Sequence, residues 1–286
     1  MNVKKWKAAF VALLSSSLLF GCSQSSKTAS EPKKTDSNAS AKQSKEMAQV
    51  TKDYRTYAIG EMDEFVKDTE EFTNAVKNGD IEKAKQLYPQ ARMHYERSEP
   101  IAEVFGDLDP KIDAREGDVP AAQWKGYHRI EKGLWKENTT AGYEQYADEL
   151  LKDAKLLRAK VETVNVTPDI LLTGAVDLLN EVSTSKVTGE EDRYSHTDLY
   201  DFAANVQGAE KIYDLLSPAL EKKDKKLVEE IGRHFDQVNQ LLAQYKKGDG
   251  YVAYTELTNA QVKELSQAID ALAEPLSQMG TVMEES

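Results

Sequence analysis

Residues 123–136 place an imidazole and a carboxylate where a helix normally carries only apolar side chains. Steps of four and three residues return to one face of an α-helix, and here they give Trp124, His128, Glu131 and Trp135. Burying an unsatisfied polar group costs about 1–3 kcal/mol, and a charge costs more. A fold that buries this face must therefore supply partners for both groups, and a metal ion is the partner that these residue types allow.

The rest of the chain shows helical spacing of apolar residues over about residues 46–279, and no region shows the sustained alternation that predicts strands. Several runs begin with residues that favour a helix N-terminus, namely Asp80, Thr167 before Pro168, and Thr258 with Gln261. About eight helices with short connections predict an all-α fold of two packed antiparallel four-helix bundles, with a break near residue 165.

The N-terminus is typical of a targeting segment. Three lysines precede an apolar run over residues 8–20 that is too short to be a good spanning helix. The run ends in Leu-Phe-Gly-Cys, which resembles a bacterial lipobox, and Cys22 is the only cysteine. We predict a lipoprotein signal peptide over residues 1–21, lipidation of Cys22, and attachment to the extracytoplasmic face of the cell membrane. The alternative is an ordinary signal peptide beside a chance cysteine.

Residues 22–45 are polar and small, with no aromatic residue and no aliphatic residue larger than alanine, so we expect a flexible tether. The helical domain is predicted over residues 46–286. The formal charge is −12, and loss of residues 1–21, which carry three lysines and no acid, makes it −15. This acidity argues against a nucleic-acid partner. It fits either attraction of cations or plain solubility.

Four residues form the main candidate metal site. His128 and Glu131 have the spacing at which helical bundles present inward ligands, although one such pair can also be an internal hydrogen bond. Glu61 and Glu181 fall on the apolar faces of their own predicted helices. Three carboxylates in one core would repel each other without a cation. One imidazole with several carboxylates suits iron, manganese, zinc or calcium.

Four further acids are candidate ligands with a plain alternative. Glu96 and Glu99 share a charged row with Arg92 on a helix predicted over residues 81–104, and this row could equally be a solvated, salt-bridged face. Asp198 and Asp201 could complete a site or simply stabilise the N-terminus of their helix.

Two acidic loops, over residues 107–118 and 190–192, are expected to be solvated and to bind cations loosely at most. The chain has no His-Glu-x-x-His pair, no Gly-x-Ser-x-Gly elbow and no phosphate-binding glycine loop.

Six separated motifs are informative together: residues 91–100 (ARMHYERSEP), 107–109 (DLD), 113–116 (DARE), 126–132 (GYHRIEK), 194–199 (YSHTDL) and 272–276 (LAEPL). They resemble the imelysin-type domain of the EfeO/EfeM iron-uptake lipoproteins, and the resemblance covers about residues 46–280. The resemblance implies two packed four-helix bundles and an extracytoplasmic iron-binding protein. It also implies that His128 and Glu131, in the Gly-x-His-x-x-Glu motif, are a metal-ligand pair.

The main hypothesis is a lipid-anchored protein that binds Fe²⁺ or Fe³⁺ and passes it to a membrane permease without doing chemistry itself. The resemblance implies two partners, an EfeU-like permease and an EfeB-like haem peroxidase. One alternative is a metal-dependent hydrolase, although the missing zinc-protease pair argues against proteolysis. Another is a module for an acidic polysaccharide, which the negative charge disfavours unless a cation bridges the two.

Overall fold

The computed structural model describes residues 35–284, so the predicted signal peptide and Cys22 lie outside the described residues. The helices are α1 (Thr35–Lys77), α2 (Ile81–Arg97), α3 (Glu99–Ala102), α4 (Asp109–Ile112), α5 (Tyr127–Glu131), α6 (Glu144–Val161), α7 (Pro168–Thr184), α8 (Asp198–Leu220), α9 (Lys225–Ala243) and α10 (Asn259–Glu284). A short antiparallel hairpin, β1 (Lys246–Lys247) with β2 (Gly250–Tyr251), is the only sheet in this range. The prediction of an all-α fold is confirmed.

The long helices form two groups. In the first group α1 packs on α2 and α6, and the short α5 lies against α2 and α6. In the second group α7 contacts α8 and α10, and α9 contacts α8 and α10. The two groups meet mainly where α2 packs against α8, and one continuous apolar core runs through both. Burying one large apolar side chain contributes about 1.5–3 kcal/mol, so this shared core holds the groups together.

Local sequence signals place several helix ends. The side chain of Asp80 caps α2 and that of Thr167 caps α7, each accepting a backbone N–H three residues on. Thr258 and Gln261 bond each other's backbone N–H groups at the start of α10. These predicted starts are confirmed. In contrast, α1 begins at Thr35, so the backbone of the last part of the predicted tether is helical. Extending an existing helix by a turn avoids the cost of nucleating a new one.

The helix predicted over residues 81–104 is broken after Arg97. In a continuous helix Pro100 would lack a backbone N–H and its ring would clash with the carbonyl of Glu96, so α2 stops at Arg97 and α3 restarts at Glu99 as a separate turn. The charged row of Arg92, Glu96 and Glu99 is buried, because it faces α8 across the contact between the two groups. The alternative of a solvated row is therefore wrong.

None of the helices in residues 35–284 combines the length and the apolar character that a membrane crossing requires.

Candidate metal centre

Gly126 fixes where the helix that carries His128 begins. Its φ of 89° lies in the region that favours glycine, and a Cβ at this position would be 2.2 Å from the carbonyl oxygen of Ile112. Consequently α5 starts at Tyr127, and Trp124 lies before it, donating its indole N–H to the carbonyl of Ala114 at 2.7 Å. The predicted four-residue stripe is therefore wrong at Trp124, whereas His128 and Glu131 do share a buried face.

One nitrogen of His128 faces a set of acceptors. Nδ1 lies 3.2 Å from Oε2 of Glu131, 3.2 Å from the hydroxyl of Tyr88 and 3.8 Å from Oδ1 of Asp192. The Tyr88 hydroxyl donates its own proton to Asp192 at 2.7 Å, so it accepts from the imidazole. Nδ1 therefore carries a proton, and Glu131 holds the ring in a fixed orientation.

Glu131 is itself held on both oxygens. Its Oε1 accepts the backbone N–H groups of Tyr194 at 2.9 Å and Ser195 at 2.8 Å, while Oε2 faces His128. Burial raises the pKa of Glu131, but the bonds from His128 and the two backbone N–H groups outweigh this and lower it below its usual range. This arrangement, a carboxylate on the far nitrogen of a histidine, is the one by which proteins commonly orient a metal-binding imidazole.

The other nitrogen of His128 has the geometry of a ligand. Nε2 is buried and has no hydrogen-bond partner within the described residues, yet it lies 3.6 Å from Oδ1 of Asp113 and 3.6 Å from Oε1 of Glu191. Tetrahedral ligands at about 2.1 Å from a metal ion are about 3.4 Å apart. His128, Asp113 and Glu191 therefore fit around one cation. Within residues 35–284 their atoms form one of three groups that could hold a metal ion, the others being His128–Glu131–Asp192 and Glu96–Glu191–Asp201.

Arg92 and Lys186 compensate the surrounding acids. Arg92 is 1% exposed and bonds Glu96 at 2.7 Å, Asp201 at 2.7 and 3.0 Å, and Asp113. Lys186 is fully buried and pairs with Glu96, and it lies 3.8 Å from Glu99 and 3.6 Å from Glu181. These acids are near the candidate centre, and the two buried cations offset part of their negative charge.

The remaining two candidate ligands, Asp198 and Glu61, lie in different surroundings. Asp198 is buried beside the centre, where its Oδ1 accepts the backbone N–H of Asp192 at 3.2 Å. Glu61 is not brought to His128; it bonds His94 at 2.8 Å and Arg97 at 3.2 Å on the other side of α2. Its position on the edge of the apolar face of α1 points it at those two residues.

The charges of the centre depend on one another. Burial and the charge of Arg92 lower the pKa of His128, but the carboxylates of Glu131, Glu191 and Asp113 outweigh them and raise it to about 10. Burial raises the pKa of Asp113 to about 7 in spite of Arg92. Burial also raises the pKa of Glu191, but the charge of Lys186, followed by those of His128 and Arg92, lowers it well below the usual range. Without a metal ion, Arg92 and the protonated imidazole of His128 therefore face the carboxylates of Asp113 and Glu191.

An acidic pocket of about 210 Å³ reaches this centre from outside. Asp113 and Glu191 are part of its wall, and the other acids that line it are Glu99, Asp109, Asp118 and Glu181. Arg115 also lines the pocket and donates to Glu191 Oε2 at 2.9 Å and to Asp118 at 3.1 Å. A surface of this sign raises the local concentration of cations.

Sequence reasoning missed the two carboxylates nearest Nε2. Asp113 and Glu191 lie in the loops that were expected to be solvated, and only the packing of those loops on α2 and α5 buries Glu191 and most of Asp113. The available signal was that both loops carry or adjoin motifs of the resemblance, at residues 113–116 and 194–199.

Comparison with known proteins identifies the family of this chain. The imelysin family model matches residues 50–279. An EfeM/EfeO family lipoprotein of Staphylococcus haemolyticus (strain JCSC1435) is 51% identical over 97% of this chain and 99% of its own length. One of Staphylococcus aureus (strain NCTC 8325) is 53% identical over 84% of this chain and 86% of its own length. The chain therefore belongs to the imelysin family and, over most of its length, to the EfeM/EfeO family lipoproteins.

Proposed function

We propose that this protein is the lipid-anchored iron-binding component of a bacterial iron-uptake system. In this proposal it acts outside the cell membrane, held there by lipid on Cys22, and passes iron to an EfeU-like permease beside an EfeB-like haem peroxidase. The relatives carry the name EfeM/EfeO family lipoprotein, and the resemblance of the motifs links that family to iron uptake. The proposed role is binding and transfer, with no catalysis.

The observation that carries the proposal is the unpartnered Nε2 of His128 between Asp113 and Glu191. A buried imidazole nitrogen without a hydrogen-bond partner is costly, and a cation removes that cost. We assign His128 Nε2, Asp113 and Glu191 as the ligands that the chain supplies, and Glu131 as the group that orients the imidazole. One nitrogen and carboxylate oxygens suit iron in either oxidation state.

Iron affinity of the mature protein, purified in detergent, tests the assignment. His128→Ala removes the only nitrogen ligand, so we expect affinity to fall by at least tenfold, about 1.4 kcal/mol. His94→Ala is the matched control, because His94 also bonds a carboxylate but belongs to the separate pair with Glu61. Equal affinity of the His128→Ala protein and the wild type would refute the assignment.

A cellular experiment tests the role. Deletion of the gene should slow growth under iron limitation, and the wild-type gene, but not the His128→Ala gene, should restore it. Peptide hydrolysis by the purified protein that disappears in the His128→Ala variant would instead support the metal-dependent hydrolase.

A further inference from the structure

Arg92 bonds the same two oxygen atoms that face the unpartnered nitrogen of His128. Its Nη1 donates to Oδ1 of Asp113, and its Nη2 donates to Oε1 of Glu191 at 3.3 Å. Each of these oxygens is also 3.6 Å from His128 Nε2. A cation held by His128, Asp113 and Glu191 would therefore share both carboxylate oxygens with the guanidinium, or take them from it.

Other bonds hold Arg92 in place independently of these oxygens. Asp201 accepts from both Nε at 3.0 Å and Nη2 at 2.7 Å, and Glu96 accepts from Nη2 at 2.7 Å. The guanidinium carbon also lies 5.8 Å from the ring centre of Tyr88 and 5.9 Å from that of Tyr127. Arg92 can therefore lose its bonds to Asp113 and Glu191 and still remain a buried, paired charge beside the ion.

We propose that Arg92 is an internal counter-cation that stabilises the empty centre and weakens ion binding enough to permit release. The proposal rests on the proposed function, because it concerns the same centre. When the centre is empty, the guanidinium offsets the repulsion between Asp113 and Glu191. When an ion is bound, the same positive charge lies next to it and repels it. A protein that must hand on its ion gains a faster release from this repulsion.

A purely structural or orienting role makes the opposite prediction. If Arg92 only fixed the two carboxylates in a ligand geometry, its loss would leave them free to move, and ion affinity would fall. The sign of the change in affinity therefore separates a repelling counter-cation from an orienting one.

The test compares Arg92→Gln with the wild type, using Zn²⁺ as a redox-inert probe and then iron. The variant protein is refolded with Zn²⁺ present, so that the ion compensates the buried acids, and Zn²⁺ release to excess chelator is followed in time. We expect release to slow at least tenfold and affinity to rise at least tenfold. Urea unfolding in chelator should show a less stable metal-free protein, so the stability gained on Zn²⁺ binding should increase.

Two further variants make the result decisive. Arg92→Lys keeps the charge but loses the forked geometry, so we expect Zn²⁺ affinity within about threefold of wild type. Arg97→Gln removes an arginine of the same helix that pairs with Glu61, and it should leave affinity and release unchanged. Weaker Zn²⁺ binding in Arg92→Gln would overturn the proposal, and so would a tenfold loss of affinity in Arg92→Lys, whether or not the first variant folds.

The outcomes also separate this proposal from the proposed function. If the wild type binds neither Zn²⁺ nor iron, or if His128→Ala binds as well as wild type, the metal assignment itself fails. If His128→Ala loses binding while Arg92→Gln binds more weakly than wild type, the metal assignment stands and only the counter-cation role fails.

Discussion

Replacing Glu131 with glutamine tests whether this carboxylate orients His128 or binds the ion itself. The change keeps the size of the side chain and one oxygen, but it removes the negative charge. In the structure Oε1 accepts two backbone N–H groups and Oε2 faces the protonated Nδ1 of His128. An amide can keep the oxygen contacts on only one of these two sides.

The structure sets the expected magnitudes. A hydrogen bond to a charged group contributes about 1.5–3 kcal/mol against about 0.5–1.5 kcal/mol for a neutral one. With two backbone bonds affected, the metal-free protein should lose about 2 kcal/mol of unfolding free energy. Loss of a group that orients a histidine ligand typically costs about 10–100-fold in metal affinity. We therefore expect iron to bind the Glu131→Gln protein about 10–100-fold more weakly than wild type, about 1.4–2.7 kcal/mol.

Chelator competition gives the affinity, and urea unfolding in chelator gives the stability of the metal-free protein. The matched control is Glu137→Gln, an acid in the π-helical turn that follows α5, which bonds the hydroxyl of Tyr143 and lies outside the centre. Unchanged affinity would refute the orienting role. A loss of affinity well beyond about 100-fold would indicate instead that Glu131 is a direct ligand.

Three other changes test separate features of the centre. Glu181→Gln removes the negative charge of an acid that lines the pocket. In stopped-flow measurements at low salt, the association rate constant for iron should fall by about threefold, and the release rate constant should not change. An imidazole that binds a metal ion must be neutral, whereas His128 in the empty centre has a pKa of about 10. Ion binding at pH 7 should therefore release a proton, and the affinity should fall as the pH falls. Calorimetry in buffers of different ionisation heat measures the proton release. Gly126→Ala should lower the free energy of unfolding in urea by about 1–3 kcal/mol, because the backbone at Gly126 has a positive φ. Gly60→Ala should cause no such loss, because no atom lies within 4 Å of a Cβ at residue 60.

Those features of the fold that depend on neighbouring residues could be predicted from the sequence. The N-caps at Asp80 and Thr167 are set within a few residues, so local pattern was sufficient. The start of α5 could not be predicted from local pattern. It depends on the close approach of the Ile112 carbonyl to Gly126, and Ile112 belongs to an earlier helix of the chain.

The candidate centre divides in the same way. The i and i+3 spacing of His128 and Glu131 predicted that they share a face, and they do. Spacing within one helix could not show that Asp113 and Glu191 approach the other side of the imidazole, because each comes from a different loop. Nor could it show which nitrogen is left without a partner.

The sequence led us to expect that buried acids would require a metal ion to offset their repulsion. The structure gives a different physical solution, because Arg92 and Lys186 lie among those acids and are themselves fully buried. The remaining excess of negative charge is reduced by protons, as the raised pKa values of about 7 for Asp113 and Asp192 indicate. Folding therefore does not need a metal ion to offset all of this repulsion, and in the proposed function an arriving ion would have to displace protons and share oxygens with Arg92. Carboxylates that are partly compensated before an ion arrives bind it less tightly than bare carboxylates would, and the proposed transfer to a permease would require such weakened binding.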